Sequence, residues 1–313
     1  RSALIASGSV LSQEATPERI LGQSIVFCAM HEVGHTLGLR HNFKSSSAVP
    51  NDRLADMAWV RQHGLTASVM DYPGLNLPHG KAPPDWLYYP GDLGDSDLLT
   101  IVFGYSPDSA QARAAARQAA SRGHVLGTDE DAHAADSLDP LTQTWDLGAD
   151  PLAWARDRAE LIQTLLQTLP SRVLVDDASY GELTEVVMGL LSEYGSAVDI
   201  ALRYVGGQQL VRDHVGDAGG RAPYSLVAKQ KQREAVDFLT RYVFDPSALS
   251  LSPSVLTQLG PRPISGFNGR RLHVEVPISG LISSLQESML AGLLSGETLG
   301  RLRQSEYKFG PDA

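Results

Sequence analysis

Cysteine is almost missing from the sequence: Cys28 is the single one in 313 residues. No internal disulfide can form, so stability has to come from a packed core, and a chain of this length can bury one without a structural metal. Positive charge is also in short supply, with 26 Lys and Arg against 36 Asp and Glu and a net charge of −10. That balance excludes nucleic acid or an anionic membrane surface as the main partner, since both demand a basic footprint. No run approaches the roughly 18 apolar residues of a membrane span, and no basic start leading into an apolar core marks a signal peptide. Fixed-period repeats are lacking as well. Glycine pairs such as the one ending GSAVDIALRYVGG have no strand, turn and helix around them, which removes nucleotide binding. The chain begins with Arg rather than Met and is expected to be a piece of a longer product.

What the sequence does have is concentrated near its start, in CAMHEVGHTLGLRHNFKSSS, residues 28 to 47. The surrounding TPERILGQSIVFCAMHEVGHTLGL predicts one helix, with Thr16 as N-cap, Pro17 at the first helical position, Glu18 at the positive end of the dipole and Gly38 at its stop. Ile20, Leu21, Ile25, Val26, Phe27, Cys28, Val33 and Leu37 cover most of its circumference, so burial on several sides is expected, with Cys28 a small buried hydrophobe.

His31 and His35 lie four apart on that helix and project from one face, where both can meet one ion. Glu32, beside the first histidine, reaches the same cleft from too far round to be a ligand, but is placed to act on water there. His41 would be carried away by a continuous helix. Gly38 supplies the break, because glycine takes the left-handed conformation that ends a helix and can turn the chain back. Three imidazoles with an open fourth position describe a catalytic Zn2+ site rather than a closed structural one. A chance HExxH on an ordinary helix is the bland alternative, and the spaced glycine and third histidine weigh heavily against it.

The full string H-E-x-x-H-x-x-G-x-x-H resembles the zinc motif of the metzincin endopeptidases. Downstream, ASVMDYP offers Met70 for the methionine-bearing turn that members place beneath the metal, and Tyr72 resembles the tyrosine that, in some branches, hydrogen-bonds the oxyanion. Asn42 and Phe43, just after the third histidine, fit none of the best-known branches. Together with DLGDSDLLTIVFGY, these segments resemble a group of large, exported bacterial metzincin-like proteases, strongly over residues 16 to 106 and loosely beyond. The resemblance implies a zincin-like catalytic half, a protein or peptide substrate, Glu32 as general base and an exported location. It also implies an N-terminal sheet subdomain forming the upper cleft wall, and that wall is expected to lie outside this chain. A non-catalytic zinc-bound scaffold or protein-binding module is the alternative function.

The rest predicts a mainly α chain. Residues 1–106 are expected to carry the zinc site and 107–313 to form a mostly helical domain, because the C-terminal segments repeat apolar residues at three- and four-residue intervals. RRLHVEVPI is the one strand candidate there, and DWLYYPGD could rim the cleft or pack in the core. TDEDAHAADSLDP groups Asp129, Glu130, Asp131, Asp136 and Asp139. It could hold Ca2+ but lacks the glycine and spacing of an EF-hand, so a solvated acidic loop is the expectation. His63, His79, His124, His133, His214 and His273 are scattered and carry no pattern.

Overall fold

The computed structural model describes residues 17–310 apart from 79–81, 122, 133–136, 175, 218 and 262–274. In chain order it comprises α1 (Pro17–Thr36), short 3-10 turns at Ser45–Ala48 and Asn51–Arg53, α2 (Met57–His63), α3 (Asp95–Tyr105), α4 (Ser109–Ser121) and α5 (Asp129–Ala132). Then come α6 (Pro151–Thr168), α7 (Pro170–Val173), α8 (Tyr180–Asp199), a 3-10 turn at Ile200–Tyr204, β1 (Gln208–Leu210) and β2 (Tyr224–Leu226). The chain continues through α9 (Lys229–Leu239), a π turn at Thr240–Phe244, α10 (Pro253–Leu256), α11 (Ile278–Leu293) and α12 (Gly296–Phe309). Among the described residues the two strands form one antiparallel pair, with Gln209 opposite Ser225. The protein is mainly helical, as its periodicity indicates. The strand candidate at 270–278 falls largely outside the described residues, and its last residue, Ile278, begins α11.

Helix starts follow the local chemistry of the orphan amides. Asp150, just before Pro151, accepts from the Ala153 amide, and Ser179 and Ser295 do the same for Gly181 and Thr298. Such caps each contribute about 1 kcal/mol. Asp97 caps α3 from within, its Oδ2 accepting the Gly94 amide at 2.8 Å.

Two main cores result. The larger joins α6, α8, α9 and α11 through residues such as Ile162, Leu190, Phe238 and Met289. The smaller gathers Ile20, Val49, Met57, Val60, Trp86, Tyr88 and Leu147 beneath α1. Trp86 and Tyr88 are thus core residues, which settles the position of DWLYYPGD. Trp154 packs against both cores, and Arg158 on the same helix donates to the Leu75 carbonyl, so α6 joins them.

The surroundings of α1 differ from expectation. Ile20, Phe27 and His31 are buried along one narrow stripe, while Leu21, Ile25, Val26, Val33 and Leu37 are 59%, 59%, 52%, 55% and 43% exposed. Cys28 is exposed too. Apolar coverage of a helix says how many faces could be buried, but only neighbouring elements bury them. Among the described residues, packing reaches α1 from one side.

Candidate metal centre

α1 ends where Gly38 predicts. Gly38 has φ +83°, the Leu39 amide donates to the Gly34 carbonyl at 3.0 Å, and the Gly38 amide donates to the His35 carbonyl at 3.0 Å. This pair of reversed hydrogen bonds around a left-handed residue is the Schellman arrangement. It returns the chain so that His41 meets the two helical histidines. Ring centroids lie 4.8 Å apart for His31 and His35, 4.7 Å for His35 and His41, and 5.2 Å for His31 and His41.

Each ring has its Nδ1 occupied. His31 pairs with the Val69 carbonyl at 2.7 Å, His35 with the Leu39 carbonyl at 3.0 Å, and His41 with Asp129 Oδ1 at 2.7 Å. Nδ1 therefore carries the proton, leaving every Nε2 as a lone-pair donor. His35 Nε2 and His41 Nε2 stand 3.2 Å apart, and His31 Nε2 is buried with no hydrogen-bond partner. Two facing lone pairs and a third buried orphan are unfavourable unless a cation lies among them. Tetrahedral zinc with bonds of about 2.0–2.1 Å would hold two nitrogens about 3.3 Å apart, close to the spacing found. The donor set fits zinc. Burial foremost, with the neighbouring imidazoles adding to it, lowers the His31 pKa and favours the neutral form a metal needs.

Met70 is 1% exposed, and a Cβ added at Gly34, between the two helical histidines, would lie 2.3 Å from its Sδ. Its carbonyl accepts the Asn42 amide at 2.8 Å, tying the turn to the residue after the third histidine. The turn itself is braced by Asp97, which accepts from Ser68 Oγ at 2.5 Å and from the Val69 amide at 2.9 Å. Nothing in the sequence spacing singles out Asp97 for this second task, because the partner lies 28 residues away.

Tyr72 stacks beside the histidines, its ring centroid 5.1 Å from His31 and 4.8 Å from His41. Burial, then the charges of Glu32 and Asp129, raises its phenol pKa and keeps it a proton donor. Glu32 is exposed, and its charge acts on both His31 and Tyr72. No sequence pattern singles out Trp145: 56% exposed and held at φ +68°, it stacks on Tyr72 at 5.5 Å while its amide donates to the Tyr72 carbonyl at 2.7 Å. Positive φ at a bulky residue is strained and tends to persist where surrounding structure enforces it.

The described part of the acidic segment is only partly solvated: the side chains of Asp129 and Glu130 stay exposed, whereas those of Asp131 and Asp139 are buried in ion pairs. Asp129 bonds His41, Glu130 pairs with Arg40, Asp131 with Arg212, and Asp139 with the buried Lys44 at 2.5 Å. Asp136 lies outside the described residues. The remaining histidines stay away from the cluster: His63 stacks on Trp59, His124 bonds Ser96 and His214 faces Asp217, while His79, His133 and His273 fall outside the described residues. No helix among the described residues is long and apolar enough to cross a membrane.

His31, His35 and His41 form the cluster of potential metal ligands found among the described residues. Neither a curated protein nor a solved structure matches the chain significantly. A family profile does, over residues 13–313, so the match extends through the helical C-terminal half well beyond the motifs. The family points to zinc metalloprotease chemistry and, with it, to peptide substrates. By that match over nearly its whole length, the chain belongs to the Met-zincin family.

Proposed function

We propose that the protein is a zinc-dependent endopeptidase. The observation that carries this reading is the convergence of three Nε2 lone pairs, one of them buried and orphaned, beside an exposed carboxylate and a phenol. When bound there, zinc supplies a Lewis acid that polarises a carbonyl and acidifies water. Glu32 acts as general base, taking the proton of the attacking water and passing it to the leaving amine. Tyr72 donates its phenol hydrogen to the developing oxyanion, a role supported by its raised pKa and its place against His31 and His41. Gly38 and Met70 have structural tasks, returning His41 and flooring the cluster. Residues 70 to 78 would form the floor and one wall of the pocket for the side chain following the cut. Arg158 supports that wall through the Leu75 carbonyl.

The upper wall is proposed to come from further chain of the same parent. The open apolar face formed by Leu21, Ile25, Val33 and Leu37 supports this, since exposed patches of this kind mark surfaces that are covered in an assembly. A division at residue 106 is proposed as well, with the zinc-bearing part in 1–106 and a mostly helical domain in 107–313. An exported location is proposed from the resemblance alone.

Glu32→Gln tests the reading. The variant should keep one equivalent of zinc by elemental analysis and lose chelator-sensitive cleavage of an unfolded protein, both measured with a chain extended toward its N-terminus. Zinc binding without such cleavage in the extended parent would instead establish the scaffold alternative.

A further inference from the structure

His41 is held differently from the other two histidines. His31 and His35 direct Nδ1 to backbone carbonyls of neighbouring turns, whereas His41 directs it to a carboxylate 88 residues away in sequence. The segment bearing that carboxylate is clasped by four consecutive residues around the third histidine. Arg40 donates to both carboxylate oxygens of Glu130 at 2.8 Å, and also approaches Asp129 at 3.5 Å. Asn42 donates to the Val125 carbonyl at 3.1 Å and accepts the Gly127 amide at 3.1 Å, and the Phe43 amide donates to the Gly127 carbonyl at 2.7 Å. Asn42, the residue that matches no familiar branch, therefore serves to bind this arm.

The far side of the arm is anchored in the C-terminal half. Arg212, just past β1, reaches Asp131 Oδ1 at 2.5 Å, and Arg203 donates to the Ala132 carbonyl. Asp131 in turn accepts the Thr128 amide at 3.0 Å, starting the single turn of α5 that presents Asp129. A continuous chain of contacts thus runs from the 200–212 region through Asp131 and Asp129 to His41.

We propose that Asp129 is the positioning residue of the metal centre, setting the tautomer and ring plane of the third ligand, and that the Arg212 and Arg203 anchors make that setting depend on the C-terminal half. A carboxylate accepting from the distal nitrogen of a ligand imidazole fixes its orientation and raises its basicity. A backbone carbonyl orients a ring but donates less, so His41 becomes the most electron-rich of the three. The inference rests on the metal-site reading above and is independent of peptidase activity.

Zinc affinity, measured by competition with a chromophoric chelator, and the visible spectrum of the cobalt-loaded chain provide the test. Asp129→Asn should weaken zinc binding by about 10- to 100-fold and shift the cobalt bands, while the melting temperature of the metal-free protein changes little. Asp129→Glu should restore part of the affinity, and Asp131→Asn should produce a smaller loss than Asp129→Asn. In a His41→Ala background, Asp129→Asn should cause no further loss. Parental affinity and spectrum in Asp129→Asn, or an equal loss in the His41→Ala background, would overturn the proposal. A parent that binds zinc without cleaving sinks only the endopeptidase reading, whereas a parent that binds none sinks both.

Discussion

The sulfur of Met70 rests on the backbone of Gly34: a Cβ added at Gly34 would lie 2.3 Å from Met70 Sδ. The glycine sits between the two helical histidines, one residue before His35, so the helix and the methionine turn touch where a side chain would hold them apart. This contact makes the metal cluster and its floor one packed unit.

Gly34→Ala should therefore lower stability even though alanine is the better helix former. Overpacking a closed site costs about 1–3 kcal/mol, against about 1 kcal/mol regained from helix propensity. Thermal unfolding should show a net loss, and zinc affinity should fall with it. Met70→Ala should cost less in the Gly34→Ala background than in the parent, because the two side chains compete for one space. Additive effects would show that the contact is not what matters.

Gly38→Ala isolates a backbone effect. Nothing lies within 4 Å of the added Cβ, so the only penalty is the left-handed φ of +83°, about 1–2 kcal/mol. The loss should appear both in the melting temperature and in zinc affinity, since the turn delivers His41. Gly38→Asn should be milder, because asparagine tolerates this region. Equal behaviour of the two variants would argue against the turn as cause.

Tyr72→Phe removes only the phenol oxygen and leaves the ring stacked among His31, His41 and Trp145. In the cleavage assay kcat should drop by about 100-fold or more with KM and zinc content unchanged, the behaviour of a lost oxyanion donor. A change confined to KM would assign Tyr72 to substrate packing instead.

Asp71, the residue after Met70, and Asp146 are both fully buried, and both accept from Ser46. Burial pushes Asp71 up to about 7 against the hydrogen bonds from Ser45, Ser46 and Tyr72, and burial together with the Asp71 charge pushes Asp146 well up. A carboxyl raised on folding keeps a proton that the unfolded chain has released, so its contribution is lost as pH rises from the unfolded value of 3.8 through about 7. The slope is about 1.4 kcal/mol per pH unit for each such proton. Asp146→Asn removes one of the two charges, and its melting temperature should overtake that of the parent progressively between these pH values. A constant difference across that range would show that folding does not raise the Asp146 carboxyl.

Much of the centre was legible in the order of residues. The i, i+4 spacing of His31 and His35 follows from the helical period, and the need to end the helix before His41 follows from geometry that only a residue such as Gly38 meets easily. Helices with apolar periodicity, such as Pro151–Thr168 and Tyr180–Asp199, were legible for the same local reasons. The open face of α1 was not, because Leu21, Ile25 and Val33 have the same composition whether covered or bare. Nor was the acidic segment, whose carboxylates look solvated until Arg40, His41, Lys44 and Arg212 are brought to them.

By itself, then, the sequence determined the donors, their spacing and the turn that unites them, since all of these depend on neighbours within about a dozen residues. Tertiary structure alone decided how they are held. Asp129 reaches His41 across 88 residues, Asp97 braces the Met70 turn across 28, and Met70 closes on Gly34. Contacts at such separations are set by how cores pack and where chains cross, and no local pattern of side chains encodes them.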